Sequence, residues 1–277
     1  MTAAKALLLG LIQGIAEFLP ISSSGHLELF KNILGLNEVP LLFDVILHIA
    51  TLFAVVAVLW KRIAAIFTAL GRALWRFLFF RKSSMDEVSR QNLAFVLPII
   101  IATGVTGVVG ILIEKVLLEA YPGLRGTRLV AVNMLITAAI LGLTALLKPG
   151  ARGPAQIGKG RAAFIGLAQG LGVFSGISRS GITISAGLFA GLNRETAGEL
   201  SFLLSIPAIL GAFVLTIGDA GAMLASVSFA QLALAFTAAL LSGMASLKIL
   251  MKIIKSGKIY WFAPYLLLVG IVGLILG

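Results

Sequence analysis

The sequence lacks cysteine altogether, and charged residues make up only 12% of its 277 residues. Without cysteine, a disulfide-stabilised scaffold, a thiolate metal site and a cysteine nucleophile are all excluded. Because 59% of the residues are hydrophobic, the polar side chains are too few to cover the surface of a water-soluble domain of this size. The composition therefore predicts an integral membrane protein, in agreement with the mean hydropathy of +1.07.

Acidic residues are also scarce, since 11 stand against 22 lysines and arginines and the formal net charge is +11. Most of the basic residues lie between apolar segments, a distribution typical of membrane topology signals rather than of nucleic-acid binding. The first apolar stretch contains Glu17 and Pro20 and has no small-residue cleavage site. A cleavable signal peptide is therefore not expected.

Six apolar stretches have the length of a membrane-spanning helix, and each is bounded by charge, glycine or proline. Two further apolar segments, 6–35 and 162–192, are interrupted by serine and glycine clusters and predict re-entrant helical hairpins. Residues 61–82 mix basic and aromatic side chains, a pattern typical of an interfacial helix in the headgroup layer. The predicted spans are 43–60, 93–113, 128–147, 200–218, 229–251 and 259–276.

The chain also contains an internal repeat. Residues 10–37 align with residues 166–193 without a gap, and 12 of the 28 pairs are identical, including FxxISxSG against FxxISRSG. We therefore predict two homologous halves, 1–150 and 151–277, that form one functional domain. Because each half holds one hairpin and three spans, the odd number of crossings inverts the second half. The predicted fold class is an all-α integral membrane protein of two inverted repeats.

The basic residues predict the orientation. Segments 61–90, 148–161, 194 and 248–258 together hold 16 lysines and arginines, whereas the segments on the other side hold five. The positive-inside rule makes the richer side cytoplasmic, so both termini and residues 219–228 face outward. The two hairpin tips are then expected to meet near the bilayer midplane.

The first hairpin tip combines a carboxylate, an imidazole and several hydroxyls. Gln13 and Glu17 lie four residues apart on one helix face, and Pro20 ends that helix. A carboxylate in an apolar half-helix is costly, which favours a functional role over ordinary helix polarity. Serine and glycine at the start of the returning helix leave backbone N–H groups unpaired, and such groups bind anions. The other candidates at this tip are Ser22, Ser23, Ser24 and His26.

In the second tip, Arg179 stands at the position that aligns with Ser23. Its planar guanidinium suits phosphate oxygens. The alternative interpretation is a structural ion pair between Arg179 and Glu17. The hydroxyl candidates here are Ser178, Ser180 and Thr183. The serines of both tips also fit a simple role as helix caps.

Two interpretations are open for a second polar pair, Asp44 and His48, which lie one helical turn apart near the start of the first span. They support the tip residues, or they form a helix N-cap followed by an interfacial histidine. Likewise, His26 is either functional or a hydrogen-bonded tip histidine. Glu195 and Glu199 beside Arg194 predict a solvated helix start.

The segments QGIAEFLPISSSGH (13–26) and GISRSGITIS (176–185) resemble the two signature motifs of the undecaprenyl-diphosphate phosphatase family associated with bacitracin resistance. FDVILHIATLFAVV (43–56) is similar to that family's next helix. The resemblance implies removal of the terminal phosphate from a C55 polyprenyl diphosphate, which recycles the lipid carrier of cell-wall precursors. It further implies a multi-pass protein of the bacterial inner membrane whose active site is reached from the outer face.

By the same resemblance, Glu17 and His26 match the family's catalytic acidic and histidine positions, and Arg179 matches its diphosphate-binding arginine. The family's divalent cation, usually Mg²⁺ or Ca²⁺, would have Glu17 and Gln13 as ligands, although many members carry a glutamate at the position of Gln13. Ser175 stands where a proline is usual. The hydroxyl contacts that match are Ser22, Ser23, Ser178 and Thr183.

Two chemical routes are open at this point: a phosphohistidine at His26, and direct attack by a water activated through Glu17. A different class of function, a transporter or flippase of a polyprenyl phosphate lipid, also uses inverted repeats with broken helices. A flippase has less use for a histidine beside a carboxylate, which favours the phosphatase. The expected partners are the lipid substrate and membrane lipids, without nucleic acid, and the oligomeric state is open, a homodimer included.

Overall fold

The computed structural model describes residues 1–36, 39, 41–78, 85–121, 123, 126–217 and 227–276. Within these ranges the regular structure is helical, and no strand occurs. A π-helical turn, Leu112–Leu117, follows α5, and a 3-10 turn, Ile259–Phe262, precedes α12. The α-helices are α1 (Ala3–Phe18), α2 (Ser23–Ile33), α3 (Leu41–Leu78), α4 (Glu87–Leu93), α5 (Val96–Ile111), α6 (Leu118–Ala120), α7 (Thr127–Leu143), α8 (Lys159–Leu171), α9 (Arg179–Phe189), α10 (Arg194–Thr216), α11 (Phe229–Ser256) and α12 (Ala263–Leu276).

Five helical segments in the described part of the chain are long and apolar enough to cross a membrane. A shorter apolar helix, Ile259–Ile275, covers the sixth predicted span. The prediction of an all-α membrane protein is therefore confirmed. The five segments are Leu41–Leu78, Glu87–Ala120, Thr127–Leu146, Arg194–Thr216 and Phe229–Ser256.

Helix α3 is longer than the span predicted at its start, because it runs unbroken through 38 residues. At 1.5 Å per residue it is roughly 57 Å long, well beyond a hydrocarbon core of about 30 Å. Residues 61–78 of the predicted interfacial helix thus continue the first span without a break. Residues 79–82 of that prediction, and most of the predicted outward segment 219–228, lie outside the described residues.

Each half of the chain begins with a helix, a break and a second helix, at equivalent positions of the sequence repeat. Helix α1 ends just before Pro20, which lacks the N–H needed to continue it. Ser22 caps α2 by accepting the N–H of Gly25 at 3.3 Å. Ser178 caps α9 by accepting the N–H of Gly181 at 3.2 Å. The aligned motifs therefore share the order of helix, break and serine-capped helix.

The packing of these units also repeats. Helix α1 packs on α11, and its equivalent, α8, packs on α5; glycine allows the close approach in both pairs. A Cβ atom on Gly166 would lie 2.5 Å from the carbonyl oxygen of Ala102, a distance that no side chain could tolerate. The two interfaces use the same spacing: Gly10 and Gly14 face Ala235 and Ala239, and Gly166 and Gly170 face Ala102 and Thr106.

Candidate active site

Glu17 lies at the centre of the site, at the end of α1, and is 5% exposed. Its Oε1 atom forms an ion pair with the guanidinium of Arg179, the first residue of α9. Its Oε2 atom accepts hydrogen bonds from Ser23 Oγ at 2.6 Å and from Gln13 Nε2 at 3.0 Å. The two hairpin tips thus bring one carboxylate, one hydroxyl and one guanidinium into direct contact.

His48 of α3 also contacts this carboxylate, with Nε2 at 3.3 Å from Glu17 Oε2. Of the two interpretations left open by the sequence, the structure places His48 with the tip residues. Asp44 lies one turn earlier and pairs with Lys31 of α2 at 2.7 Å. This ion pair joins the returning half-helix to the first span.

His26 has other partners. Its Nδ1 lies 2.8 Å from the backbone carbonyl oxygen of Ser22, and its Nε2 lies 2.7 Å from the hydroxyl of Tyr265. The two rings stack with centroids 5.7 Å apart. Neither hydrogen bond of His26 goes to Glu17. The sequence did not point to Tyr265, because no local pattern links it to a histidine 239 residues away.

The remaining predicted hydroxyls organise the two tips. Ser24 Oγ accepts the N–H of Gly176 at 3.4 Å and so joins the first tip to the second. Thr183 Oγ1 donates to the backbone carbonyl of Arg179 at 2.7 Å, which fixes the start of α9. Ser180 Oγ lies 3.4 Å from the capping hydroxyl of Ser178. These contacts hold the backbone around Glu17 and Arg179 in place.

Helix α7 supports the second tip, a role that the sequence did not reveal. Asn133 Nδ2 donates to the carbonyl of Ser175 at 2.8 Å, and Thr137 Oγ1 accepts the N–H of Ser178 at 3.2 Å. The hydroxyl of Ser175, at the place of the usual proline, donates to Glu28 of α2 at 2.9 Å. Side-chain hydrogen bonds therefore fix the loop before Arg179.

Two buried polar atoms at the site have no hydrogen-bond partner among the described residues: Arg179 Nη1 and Gln13 Oε1. Arg179 and Glu17 line a narrow cleft together with Ser180 and two serines of α10, Ser201 and Ser205. A buried guanidinium N–H without an acceptor is costly. Arg179 Nη1 is therefore left with an N–H for which the described residues supply no acceptor.

Fold and site together define a class: an all-α membrane protein in which two broken helices place a carboxylate against a guanidinium. The family model described as "Bacitracin resistance protein BacA" matches residues 6–272. The chain belongs to this family, as its two motifs indicated.

Curated relatives cover the whole chain. The undecaprenyl-diphosphatase of Treponema denticola is 45% identical over 271 residues, which are 98% of this chain and 96% of the relative. The undecaprenyl-diphosphatase of Desulforapulum autotrophicum is 39% identical, over 99% of this chain and 98% of its own. That of Desulfosudis oleivorans is also 39% identical, over 100% and 99% of the two chains.

Proposed function

We propose that this protein is an undecaprenyl-diphosphatase, which hydrolyses C55 polyprenyl diphosphate to the monophosphate and phosphate and so recycles the cell-wall lipid carrier. The observation that carries the proposal is the buried contact between Glu17, Ser23 and Arg179, with one guanidinium N–H left for an anion. Full-length relatives that bear the name undecaprenyl-diphosphatase support it.

Substrate binding uses positive groups from both tips. Arg179 Nη1 donates to a phosphate oxygen of the diphosphate. The N-termini of α2 and α9 add the positive ends of their helix dipoles, which favour an anion at the tips. Phosphoryl transfer depends mainly on such charge neutralisation and on the alignment of the nucleophile.

The attacking group is an oxygen beside Glu17, either Ser23 Oγ or a water in its place. As this oxygen bonds to the terminal phosphorus, its proton passes to Glu17 Oε2, and the bridging P–O bond breaks with its electron pair going to the polyprenyl phosphate. Attack by water gives phosphate directly. Attack by Ser23 gives a phosphoserine, whose P–O bond to Ser23 Oγ is then broken by a water that gives its proton to Glu17. A phosphohistidine is less favoured by the geometry, because both ring nitrogens of His26 are engaged. The family resemblance implies a catalytic role for His26, and this role is part of the proposal. His26 lies near the start of α2, and His26→Ala is expected to abolish turnover.

A divalent cation, Mg²⁺ or Ca²⁺, is part of the proposal. The protein offers it few ligands, since no group of three His, Asp or Glu side chains suited to a metal occurs in the described ranges. Gln13 Oε1, buried and without a hydrogen-bond partner among the described residues, fits as one ligand. Glu17 is the other proposed ligand, and its carboxylate would exchange one of its present partners for the cation. Mg²⁺ commonly takes its other ligands from substrate phosphate and water. When bound, the cation neutralises charge on the diphosphate.

The architecture proposed for this function is two inverted repeats, each with a re-entrant hairpin, in the bacterial inner membrane with the site open to the outer face. The aligned motifs, the matching caps and the matching glycine contacts support the repeats. The bias of basic residues supports the orientation. A cysteine introduced at Asp219, outside the described residues, should be labelled from the outer side, and labelling only from the cytoplasmic side would reverse the topology.

Phosphate release from C55 diphosphate by the purified protein in liposomes, with and without a chelator, tests the function. We expect release that requires the cation and disappears in Glu17→Gln. A wild-type protein that released no phosphate but moved a polyprenyl phosphate across the bilayer would replace the phosphatase by a transporter.

A further inference from the structure

The chain has two histidines, and the structure anchors both rings in the same way. Nδ1 of each lies 2.8 Å from the backbone carbonyl oxygen four residues earlier, that of Ser22 for His26 and that of Asp44 for His48. A carbonyl oxygen only accepts hydrogen bonds, so Nδ1 carries a proton in both rings. A contact of Nε2 with a carboxylate oxygen is attractive only where Nε2 carries a proton as well. The rings therefore differ in what the second nitrogen faces.

Nε2 of His26 faces the hydroxyl of Tyr265, whereas Nε2 of His48 lies 3.3 Å from Glu17 Oε2. The same carboxylate oxygen is the acceptor for the Ser23 hydroxyl. The side chain of Glu17 is 2% exposed and that of His48 is 27% exposed. His48 is thus a more accessible group in contact with the buried carboxylate that the reaction uses.

The fold fixes this contact from outside the two hairpins. Leu47 and Ala50 on either side of His48 are fully buried, so the turn of α3 that carries the ring is packed in the core. Asp44 on the same face is tied to α2 through Lys31. Residues on rigid, packed elements hold a site with greater precision than residues on loops.

We propose that His48, with an N–H on both ring nitrogens, is a positioning residue of the site that holds Glu17 Oε2 toward the Ser23 hydroxyl. The proposal rests on the proposed function, in which Glu17 receives the proton of the attacking oxygen. The terminal torsion of a glutamate side chain is broad, so its carboxylate needs contacts to fix it. Arg179 Nη2 holds Oε1, and Nη1 of the same guanidinium engages the phosphate during turnover. The His48 contact then keeps the carboxylate oriented while Arg179 engages the substrate.

Two variants separate the ring nitrogens. In His48→Gln, the side-chain amide extends about as far as Nε2 and can donate to Glu17. In His48→Asn, the amide extends only as far as Nδ1, so it can donate to the backbone carbonyl of Asp44 but cannot contact Glu17. We expect His48→Asn to lower kcat about tenfold, on the scale of one lost ionic contact, with little change in KM, because Arg179 and the helix N-termini bind the substrate. His48→Gln should restore most of kcat. An equal loss of kcat in both variants, or a change confined to KM, would overturn the proposal.

A double-mutant cycle on the melting temperature tests the contact without turnover. The shifts caused by His48→Asn and Glu17→Gln should be non-additive in the double variant, because the two side chains touch. The matched cycle of His26→Asn with Glu17→Gln should be nearly additive. Equal additivity in both cycles would refute the contact. Absence of phosphatase activity in the wild type would instead refute the proposed function, so the two failures are distinguishable.

Discussion

The two hairpin tips have the same backbone design and different chemistry. Each returning helix begins with a serine whose hydroxyl accepts the N–H of a glycine three residues later. The reactive groups are divided, however, because Glu17 aligns with Val173 and Ser23 aligns with Arg179. The carboxylate therefore lies on one tip and the guanidinium on the other. The site is complete only where the tips meet.

The tips also differ in backbone conformation. Ser22 has a φ of 69°, in the left-handed region that non-glycine residues rarely adopt, whereas Ser178 has a φ of −77°. In the second tip the positive φ falls on Gly176, at 92°, where no side chain opposes it. Strain at a non-glycine residue therefore lies on the tip that carries the carboxylate, in line with the tendency of strain to cluster at active sites.

The largest effect is expected where the first tip loses its carboxylate. Glu17→Gln keeps the size of the side chain but removes the proton acceptor beside Ser23, so kcat should fall by about a thousandfold or more. Val173→Ala, at the aligned position of the second tip, is the matched control and should leave kcat within about twofold. Phosphate-release kinetics of the purified variants would check this, and a wild-type rate in Glu17→Gln would remove Glu17 from the mechanism.

The next effect concerns the guanidinium of the second tip. Arg179→Lys keeps the charge but loses the planar pair of donors, so kcat/KM should fall roughly ten- to a hundredfold. Arg62→Lys is the control, because Arg62 also forms an ion pair, with Nη2 at 2.5 Å from Glu199 Oε2. This pair does not involve the residues of either tip. Arg62→Lys should lower the melting temperature without a comparable loss of kcat/KM. If Arg179→Lys behaved like this control, Arg179 would be only the counter-ion of Glu17.

The sequence alone predicts much of the fold, because the signals are local. Apolar runs of membrane length mark the spans, Pro20 ends α1, and serine and glycine mark the caps of α2 and α9. The end of α3 could not be predicted in this way. Basic and aromatic residues are compatible both with an interfacial helix and with the continuation of a straight one, so residues 61–78 give no signal that separates the two.

The site was less predictable, because its partners are distant in sequence. The direct contact of Glu17 with Arg179 joins residues that the repeat had only suggested to be neighbours. The partner of His26 depends on how α12 lies against α2, and that of His48 on how α3 packs on α1. No periodicity specifies either arrangement. The sequence consequently favoured His26 as the neighbour of Glu17, whereas the structure shows His48 in contact with this carboxylate.

A smaller effect tests whether the two halves pack alike. Gly10→Ala and Gly166→Ala each place a methyl group against the backbone of the facing helix, which cannot yield as a side chain can. Each should destabilise the protein by about 1–3 kcal/mol. Gly104→Ala in α5, where nothing lies within 4 Å of the added Cβ, is the control and should be neutral or stabilising. Melting temperatures that fell for only one of the two glycines would break the equivalence of the halves.

The smallest effects concern the caps, where the two tips should respond with opposite sign. Alanine at Ser22 or Ser178 removes the acceptor for the glycine N–H and should cost about 1 kcal/mol at either position.

Substitution by glycine distinguishes the two positions. At Ser178, with a φ of −77°, glycine relieves no strain and should lower stability by a few tenths of a kcal/mol. At Ser22, with a φ of 69°, glycine removes the steric conflict of a Cβ atom in the left-handed region, which is worth about 1 kcal/mol. The melting temperature should therefore rise for Ser22→Gly and fall for Ser178→Gly. A fall of equal size in both would show that the first tip is not strained and that the two tips differ in chemistry alone.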